Sequence, residues 1–450
     1  MQQALLTVDL GFGDAGKGSI VDFLTRSTGA HTVVRYNGGA QAGHRVVTAG
    51  PTPQEHVFAQ FGSGTLAGAA THLSRFMLLE PLAMMAEEQH LRTLGITDAF
   101  HRTTIDGKAL VITPFQRAAN RLKELARGAG RHGSCGMGIG ETMADALARP
   151  QNRLFAADLT RPDILHAKLE ATRVVNLAKV QILRGSLPDH DHVEAELDVL
   201  TAPDWIDWLM DAYRDFAIQA QIVPGGQLHA ILAQDGAVIF EGAQGVLLDE
   251  WLGFHPHTTW STTTLENADR LLAEAGYRGE ISRIGITRAY ATRHGAGPLV
   301  TEDALLTQAL PDAANSFGAW QQGFRIGWLD LPMLRYACAA VGRLDSLAVT
   351  CVDRLAALSS LKICTHYLYK GSAVERFAPS PTAHDLAYQE RLTHTLAHCR
   401  PVYEPLSDPQ ALLHMLGKSL AIPVGIVSTG PTAHDKQTGV CQHSGVALTD

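Results

Sequence analysis

Gly11-Phe12-Gly13-Asp14-Ala15-Gly16-Lys17-Gly18 is the stretch on which the reading of this chain turns. An apolar segment, Ala4-Leu5-Leu6-Thr7-Val8, runs before it. After it comes Ser19-Ile20-Val21-Asp22-Phe23-Leu24, whose apolar members recur at near-helical spacing. Strand, glycine loop and helix are predicted in that order. In such a loop the glycines let backbone N–H groups converge on phosphate oxygens, and the helix N-terminus adds a favourable dipole. Gly11, Gly16 and Lys17 keep the G-x-x-x-x-G-K spacing of phosphate loops, whereas Gly18 replaces the Ser or Thr whose hydroxyl usually holds Mg²⁺. Asp14, inside the loop, is the nearest oxygen ligand for such a metal. The loop predicts a chain that handles a nucleoside triphosphate, with Gly13, Gly16 and Gly18 against the phosphates; a tight structural turn is the alternative.

Further β-branched runs end in glycine, acidic or hydroxyl residues: Thr32 to Tyr36 before Asn37-Gly38-Gly39, Ala237 to Phe240 before Glu241-Gly242-Ala243-Gln244-Gly245, Ile284 to Thr287, Ala348 to Val352 before Asp353, and Val424 to Val427 before Ser428-Thr429-Gly430-Pro431. Buried parallel strands with polar loops at their C-terminal ends read this way, and ligand sites in open parallel sheets gather at that edge. Amphipathic stretches from Phe115 to Arg127 and from Asp204 to Ile222 are predicted as helices covering the sheet. The fold class expected is α/β, a large, mostly parallel central sheet flanked by helices. Leu187 to His192 and Gly371 to Thr382 read as surface loops, and no Pro/Ser-rich linker divides the chain, so one continuous domain over 1–450 with insertions is expected. Pro-Thr-Ala-His-Asp occurs at 381–385 and again at 431–435 in unrelated surroundings, which we treat as coincidence.

With 450 residues, 46% of them apolar, the chain can bury a large core. A formal charge of -8, with acids and bases interspersed, offers no basic face for nucleic acid and no polybasic anchor for a membrane, so small-molecule partners are expected. Six cysteines form no C-x-x-C pair and no disulfide-style spacing, which points to reduced thiols in a cytoplasm and away from zinc. No basic leader and no long apolar span suggest export or membrane insertion.

The strand end Arg35-Tyr36-Asn37-Gly38-Gly39-Ala40-Gln41-Ala42-Gly43-His44 adds a second glycine-rich turn with a histidine behind it. At this point the chain resembles the adenylosuccinate synthetase family. Its hallmark stretches are a W-G-D-E-G-K-G loop, a G-G-x-N-A-G-H segment, an E-G-A-Q-G strand end and a terminal S-T-G-P. Counterparts of all four stand here in order, at 12–18, 38–44, 241–245 and 428–431.

The resemblance implies an α/β nucleotide-binding fold and a ligase that joins IMP to aspartate at the expense of GTP, with Mg²⁺. A 6-oxo purine is a poor electrophile, and phosphorylating its oxygen turns that oxygen into a leaving group. By resemblance, Asp14 takes the proton from purine N1 and binds Mg²⁺ together with the Gly43 carbonyl. His44 donates to charge developing on the leaving oxygen, and Lys17 steadies the phosphoryl group in transit. Gln244, and Thr259 fifteen residues on, fall on the family's IMP-phosphate side. Ser134 and Cys135, within His132-Gly133-Ser134-Cys135-Gly136-Met137-Gly138-Ile139-Gly140, match a T-T-G-R-G-I-G phosphate loop in which Cys135 has replaced a hydroxyl with a weak thiol donor. Arg149 matches an arginine that reaches the neighbouring subunit's IMP phosphate, which implies a homodimer. Asp353, Ser428 and Gly430 match the guanine pocket. His255 and His257 form an H-x-H pair that reads as a strand or turn with two surface histidines, not a metal site.

The departures cluster around the substrates. Gln41 stands for a family Asn, and His294 for a Val near the ribose. The aspartate loop T-T-G-R-R-R-R-T-G-W becomes Trp320-Gln321-Gln322-Gly323-Phe324-Arg325-Ile326-Gly327-Trp328, one residue shorter and with a single arginine. Two carboxylates in a dry site need cationic partners, so Trp320, Gln321, Gln322 and Phe324 suit a less anionic, larger or more aromatic donor; the alternative is that Arg325 and arginines from elsewhere, such as Arg293, restore a carboxylate site. The family K-x-D is Cys351-Val352-Asp353, which keeps the acceptor for guanine but loses the lysine beside it and makes ATP an alternative to GTP. Two other readings stand beside the IMP–aspartate ligase. One is a paralogue using a different amine donor or a guanine-type nucleotide, comparable to phage relatives that make 2-aminoadenine. The other is a catalytically silent nucleotide-binding regulator.

Overall fold

The computed structural model describes residues 2–131, 133–312, 315, 320 and 323–439. Its centre is a sheet of ten strands among the described residues. From one edge the order is Lys436–Thr438, Val424–Ser428, Ser346–Thr350, Glu280–Arg288, Gln2–Asp9, Gly236–Glu241, Thr32–Arg35, Ala70–Leu73, Thr103–Asp106 and Gln221–Val223. Every neighbouring pair is parallel except Val424–Ser428 with Lys436–Thr438. This is the α/β architecture that the strand-end pattern predicts.

The first strand lies in the middle because both of its faces are apolar. Ala4, Leu6 and Val8 enter one core cluster with Val238, Phe240 and Val349. Leu5 faces the other side, with Ile239, Ile284 and Ile286, where the helix Lys17–Thr28 packs Ile20, Val21 and Leu24 against the sheet. A third cluster gathers the helices Pro114–Arg127, Pro162–Gln181, Asp191–Thr201 and Trp205–Gln219 around Leu73 and Ile105.

Several boundaries differ from expectation. The helix beginning at Trp205 stops at Gln219, and Gln221–Val223 leaves it as the far edge strand. Ser346–Thr350 ends two residues before Val352, because Cys351 turns into left-handed backbone at φ +58. Asp191 and His192 open a helix, and Ser372–Val374 inside the expected loop pairs with Leu361–Tyr369. Among the described residues no helix is long and apolar enough to cross a membrane.

Parallel register brings Asp9, Arg35, Glu241, Arg288, Thr350 and Ser428 to the same edge, and the loops that follow carry the sequence motifs. A separate antiparallel hairpin, His44–Val47 with Glu55–Phe58, folds over that edge.

Candidate active site

The glycine loop is held from below by Asp9, the last residue of the central strand. Asp9 accepts the Gly11 N–H at 2.8 Å through one oxygen, and the Ala15 N–H at 3.0 Å and Lys17 Nζ at 2.8 Å through the other. Both ionic side chains are buried. Neighbouring strand ends brace the upper side: Thr350 Oγ1 donates to the Ala15 carbonyl at 2.7 Å, and Arg288 Nε to the Asp14 carbonyl at 2.5 Å. Gly245 closes the loop against the 241–245 turn, since a Cβ there would lie 2.2 Å from the Gly11 oxygen. Lys17 is thus tied to Asp9, the residue that also holds the loop backbone.

Asp14 adopts left-handed backbone, φ +57, and so does Gln244, φ +58. Non-glycine residues pay about 1–3 kcal/mol for such conformations, which concentrate at functional sites. Asp14 keeps its carboxylate partly exposed, with His294 Nε2 at 3.6 Å from Oδ2. His294 also faces Asn315 Oδ1 at 3.2 Å and packs on Phe324 at 4.8 Å between ring centroids.

His44 opens the hairpin strand, and Gly18 lets the loop helix approach it. A Cβ at Gly18 would lie 2.8 Å from the His44 carbonyl carbon and 3.0 Å from its Cβ. The Gly18 that breaks the usual phosphate-loop pattern therefore has a steric reason here. His44 Nδ1 meets Glu241 Oε1 at 2.5 Å, with both side chains buried. Glu241 also accepts the Ser63 N–H at 2.9 Å on Oε2 and the Ser63 hydroxyl on Oε1. Burial alone would raise the Glu241 carboxyl, but Arg35, His44 and Ser63 outweigh it and hold its pKa at about 2. For His44 burial dominates and lowers the pKa despite Glu241. Because the Glu241 carboxylate only accepts, the hydrogen between the two groups sits on Nδ1 of His44.

The 38–44 and 241–245 turns are bolted together. Asn37 Nδ2 donates to the Ala243 carbonyl at 3.0 Å, and Ala243 N–H donates to Asn37 Oδ1 at 2.7 Å. Gly38 faces the Gln244 side chain, and Gly39 faces Gln41 and Ile139. Both amide atoms of Gln41 and Oε1 of Gln244 are buried with no hydrogen-bond partner among the described residues, so their polar groups await one.

The 133–140 segment borders the same turns. Gly133 approaches Ala296, Gly136 lies against Trp320 and Gly140 against Trp260. Ser134 Oγ donates to Asn120 Oδ1 at 2.9 Å, and the Gly133 and Ser134 N–H groups reach Glu124 Oε2 at 3.1 and 3.4 Å. Burial pushes the Cys135 thiol up, keeping it a neutral, weak donor. Thr259 donates its N–H to the Leu248 carbonyl at 2.8 Å. Arg149 ends the helix Ile139–Ala148, half-exposed, with its nearest acid Asp145 at 4.0 Å. His255 and His257 lie in a turn, as expected, but both are partly buried, not fully on the surface.

In the antiparallel pair of Ala291–His294 with Phe324–Gly327, Arg325 pairs with Glu302 at 2.7 Å and donates to the Gly297 carbonyl at 2.8 Å. Arg293 is buried and donates to the carbonyls of Ala296, Pro298 and His257 at 3.0, 3.2 and 3.1 Å, with its guanidinium 4.1 Å from the Phe12 ring centre. Burial, then Arg325, lower the Arg293 pKa to about 9, so it stays charged at neutral pH. Gln322 lies outside the described residues. On the far side of the loop, Val352 N–H donates to the Ser428 carbonyl at 3.1 Å, which joins the Asp353 turn to the Ser428–Gly430 strand end.

Asp9, Ser63, Arg288 and Thr350 carry no motif of their own, and Glu241 appears in the sequence only as the first letter of one. Asp9, Arg288, Thr350 and Glu241 share one signal, a polar residue ending an apolar run, which in a parallel sheet means the ligand edge; Ser63, in a Gly-Ser-Gly turn, has none.

Among the described residues no group of three or more His, Cys, Asp or Glu is arranged to hold a metal. Asp14 is partly exposed and Gly43 is exposed, and a carboxylate and a backbone carbonyl are hard oxygen donors of the kind Mg²⁺ takes.

The family model described as adenylosuccinate synthetase matches residues 7–437. An adenylosuccinate synthetase of Xanthomonas oryzae pv. oryzae is 32% identical over 447 residues, covering 96% of this chain and 97% of its own. One from Clostridium botulinum is 31% identical over 408 residues, covering 89% and 87%. Among solved structures, fully ligated adenylosuccinate synthetase from Plasmodium falciparum aligns with TM-score 0.78 at 21% identity, over 97% of this chain and 99% of that one. The succinoaminodeoxyadenylate synthetase of cyanophage S-2L, bound to dGMP and to dATP as energy donor, aligns with TM-score 0.58 at 15% identity, over 97% and 95%. The chain belongs to the adenylosuccinate synthetase family, whose members are ligases that form a C–N bond.

Proposed function

We propose that this ligase uses GTP and Mg²⁺ to phosphorylate the 6-oxygen of IMP, or of a related 6-oxo purine nucleotide, and then replaces that phosphate with the amine of aspartate. The observation that carries this reading is the buried His44–Glu241 pair, packed against the helix that begins at the Asp14 loop. Asp14 takes the N1 proton, and the resulting oxyanion at C6 attacks the γ-phosphorus, releasing GDP. His44, once protonated at Nε2, donates to the oxygen bridging C6 and phosphorus, and Glu241 holds the ring and supports the imidazolium, much as a buried carboxylate does in a catalytic triad. The amine then adds at C6 and phosphate leaves. Lys17 contributes positive potential from beneath the loop, shared with Asp9. Asp14 and the Gly43 carbonyl would hold Mg²⁺, which would supply positive charge to the nucleotide phosphates.

Gly13, Gly16 and Gly18 shape the triphosphate cradle, and Asp353, Ser428 and Gly430 read its base. Gln41, Ser134, Cys135, Gln244, Thr259 and His294 border the purine nucleotide. Arg149 completes the site of a second copy in a cytoplasmic homodimer, each copy a single catalytic domain.

A second reading has one observation in its favour. Arg325 pairs with Glu302, and Arg293 donates to three carbonyls and lies over an aromatic ring, so only Arg325 Nε keeps no partner among the described residues, less cationic capacity than a loop of four arginines offers a dicarboxylate. An amine donor less anionic than aspartate fits such a site. Phosphate release from GTP, measured with a panel of 6-oxo purine nucleotides and amine donors, tests both. Release with IMP and aspartate supports the first; release only with another donor or a guanine-type nucleotide supports the second. Silence under every combination leaves a nucleotide-binding regulator.

A further inference from the structure

The Cys351–Asp353 turn carries no lysine at position 351, but a neighbouring strand brings one, Lys436, to the same strand ends. Lys436 begins the edge strand Lys436–Thr438 and pairs across the sheet with Ser428. Its side chain is buried, and Nζ donates to the Gly430 carbonyl at 2.8 Å. The same oxygen accepts from Ser428 Oγ at 3.1 Å. Because the Ser428 carbonyl in turn accepts the Val352 N–H at 3.1 Å, the Cys351–Asp353 turn, Ser428–Gly430 and Lys436 form one hydrogen-bonded unit. Burial lowers the Lys436 pKa to about 8, opposed by Asp435, Cys351, Asp22 and Asp353, so the group is mostly an ammonium at neutral pH. Only one of its three N–H donors meets an acceptor among the described residues. A second lysine at 351 would place a like charge beside it; the short thiol of Cys351 does not.

We propose that Lys436 is the residue that selects a guanine nucleotide as energy donor, its ammonium donating to O6 while Asp353 accepts from N1–H and N2–H. This rests on the reading of the chain as a ligase driven by a nucleoside triphosphate. An ammonium only donates and a carboxylate only accepts, which matches the acceptor–donor–donor edge of guanine. Adenine presents an amino group where guanine has O6 and a lone pair where guanine has N1–H. It therefore mismatches both residues and leaves each without its partner, the situation in which polar sites discriminate most.

The test uses the full chain and two readouts, calorimetric binding of GDP and ADP, and steady-state kinetics with GTP, ITP and ATP. Lys436→Met keeps the aliphatic stem and removes the charge. Weakening of GDP, GTP and ITP together by roughly 10- to 100-fold, with ADP and ATP unchanged and kcat within about threefold, is the expected result. Asp353→Asn should hurt GTP more than ITP, because inosine has no 2-amino group. Moving the lysine back, with Cys351→Lys added to Lys436→Met, should restore guanine preference and also guards against a variant that merely folds poorly. If wild type prefers GDP and Lys436→Met keeps that preference, the assignment of Lys436 is overturned while the ligase reading stands. If wild type binds neither diphosphate, the ligase reading itself falls and this inference with it.

Discussion

His44 Nδ1 and Glu241 Oε1 lie 2.5 Å apart although 197 residues separate them in the chain, and both side chains are buried. Glu241 ends a central strand and His44 begins a hairpin folded over that strand's edge, so the sheet and not the local chain sets the distance. A histidine oriented by a buried carboxylate has one nitrogen committed and one available. Substituting Glu241→Gln keeps the shape and removes the negative charge. We expect kcat to fall roughly 10²- to 10³-fold with little change in the KM for GTP, measured by phosphate release.

The same pair predicts a pH dependence of stability. Glu241 has a folded-state pKa of about 2, below its ordinary value, so its contribution is present above about pH 4.5 and is lost as pH falls toward 2. The loss amounts to roughly 3 kcal/mol. Urea unfolding at stepped pH should show a decline in wild type that is absent over the same window in Glu241→Gln.

Asp330 carries the opposite sign. It caps the helix Leu331–Val341 through the Met333 N–H at 3.1 Å and accepts from Tyr367 at 2.5 Å, yet burial raises its pKa to about 7. Its folded state holds a proton that the unfolded chain releases, so stability is greatest below about pH 4 and declines as pH rises to 7. Asp330→Asn retains a cap and removes this slope. Relative to wild type, the variant should gain on going from pH 4 to pH 8, by up to about 4 kcal/mol.

Asp9 and Lys17 form a buried ion pair under the loop. Asp9→Asn leaves the ammonium without its counter-charge and should destabilise the protein by about 3–5 kcal/mol, whereas Asp9→Asn with Lys17→Met should recover much of that loss. Urea midpoints of the two variants give the comparison.

Asp14 must remain compatible with φ +57. Asn tolerates left-handed backbone better than Ala, so Asp14→Asn separates chemistry from backbone strain. Turnover should fall by at least about 10³-fold while thermal unfolding stays close to wild type.

Much of this molecule is readable along the chain. Ala4 to Val8, the glycine loop and Ile20 to Leu24 specify strand, turn and helix through local periodicity and backbone freedom, and the folded chain keeps all three. The apolar runs ending in Glu241, Asp353 and Ser428 name the sheet edge at which the site lies, because a strand apolar on both faces has no place except the middle of a covered sheet. The helix predicted to Ile222 shows where this fails: its last residues pair with Thr103–Asp106, and a sheet edge outcompetes helical propensity.

The sequence by itself therefore determined the α/β class, the phosphate loop and the nucleotide motifs, all written in short-range pattern. Only the tertiary structure decided that Glu241 serves His44, that Asp9 anchors Lys17, that Arg293 and Arg325 are already engaged, and that Lys436 stands near the position where a lysine is missing. Those facts depend on which distant residues share a buried volume, where unscreened charge and unmet hydrogen bonds cost most, and no local spacing encodes that.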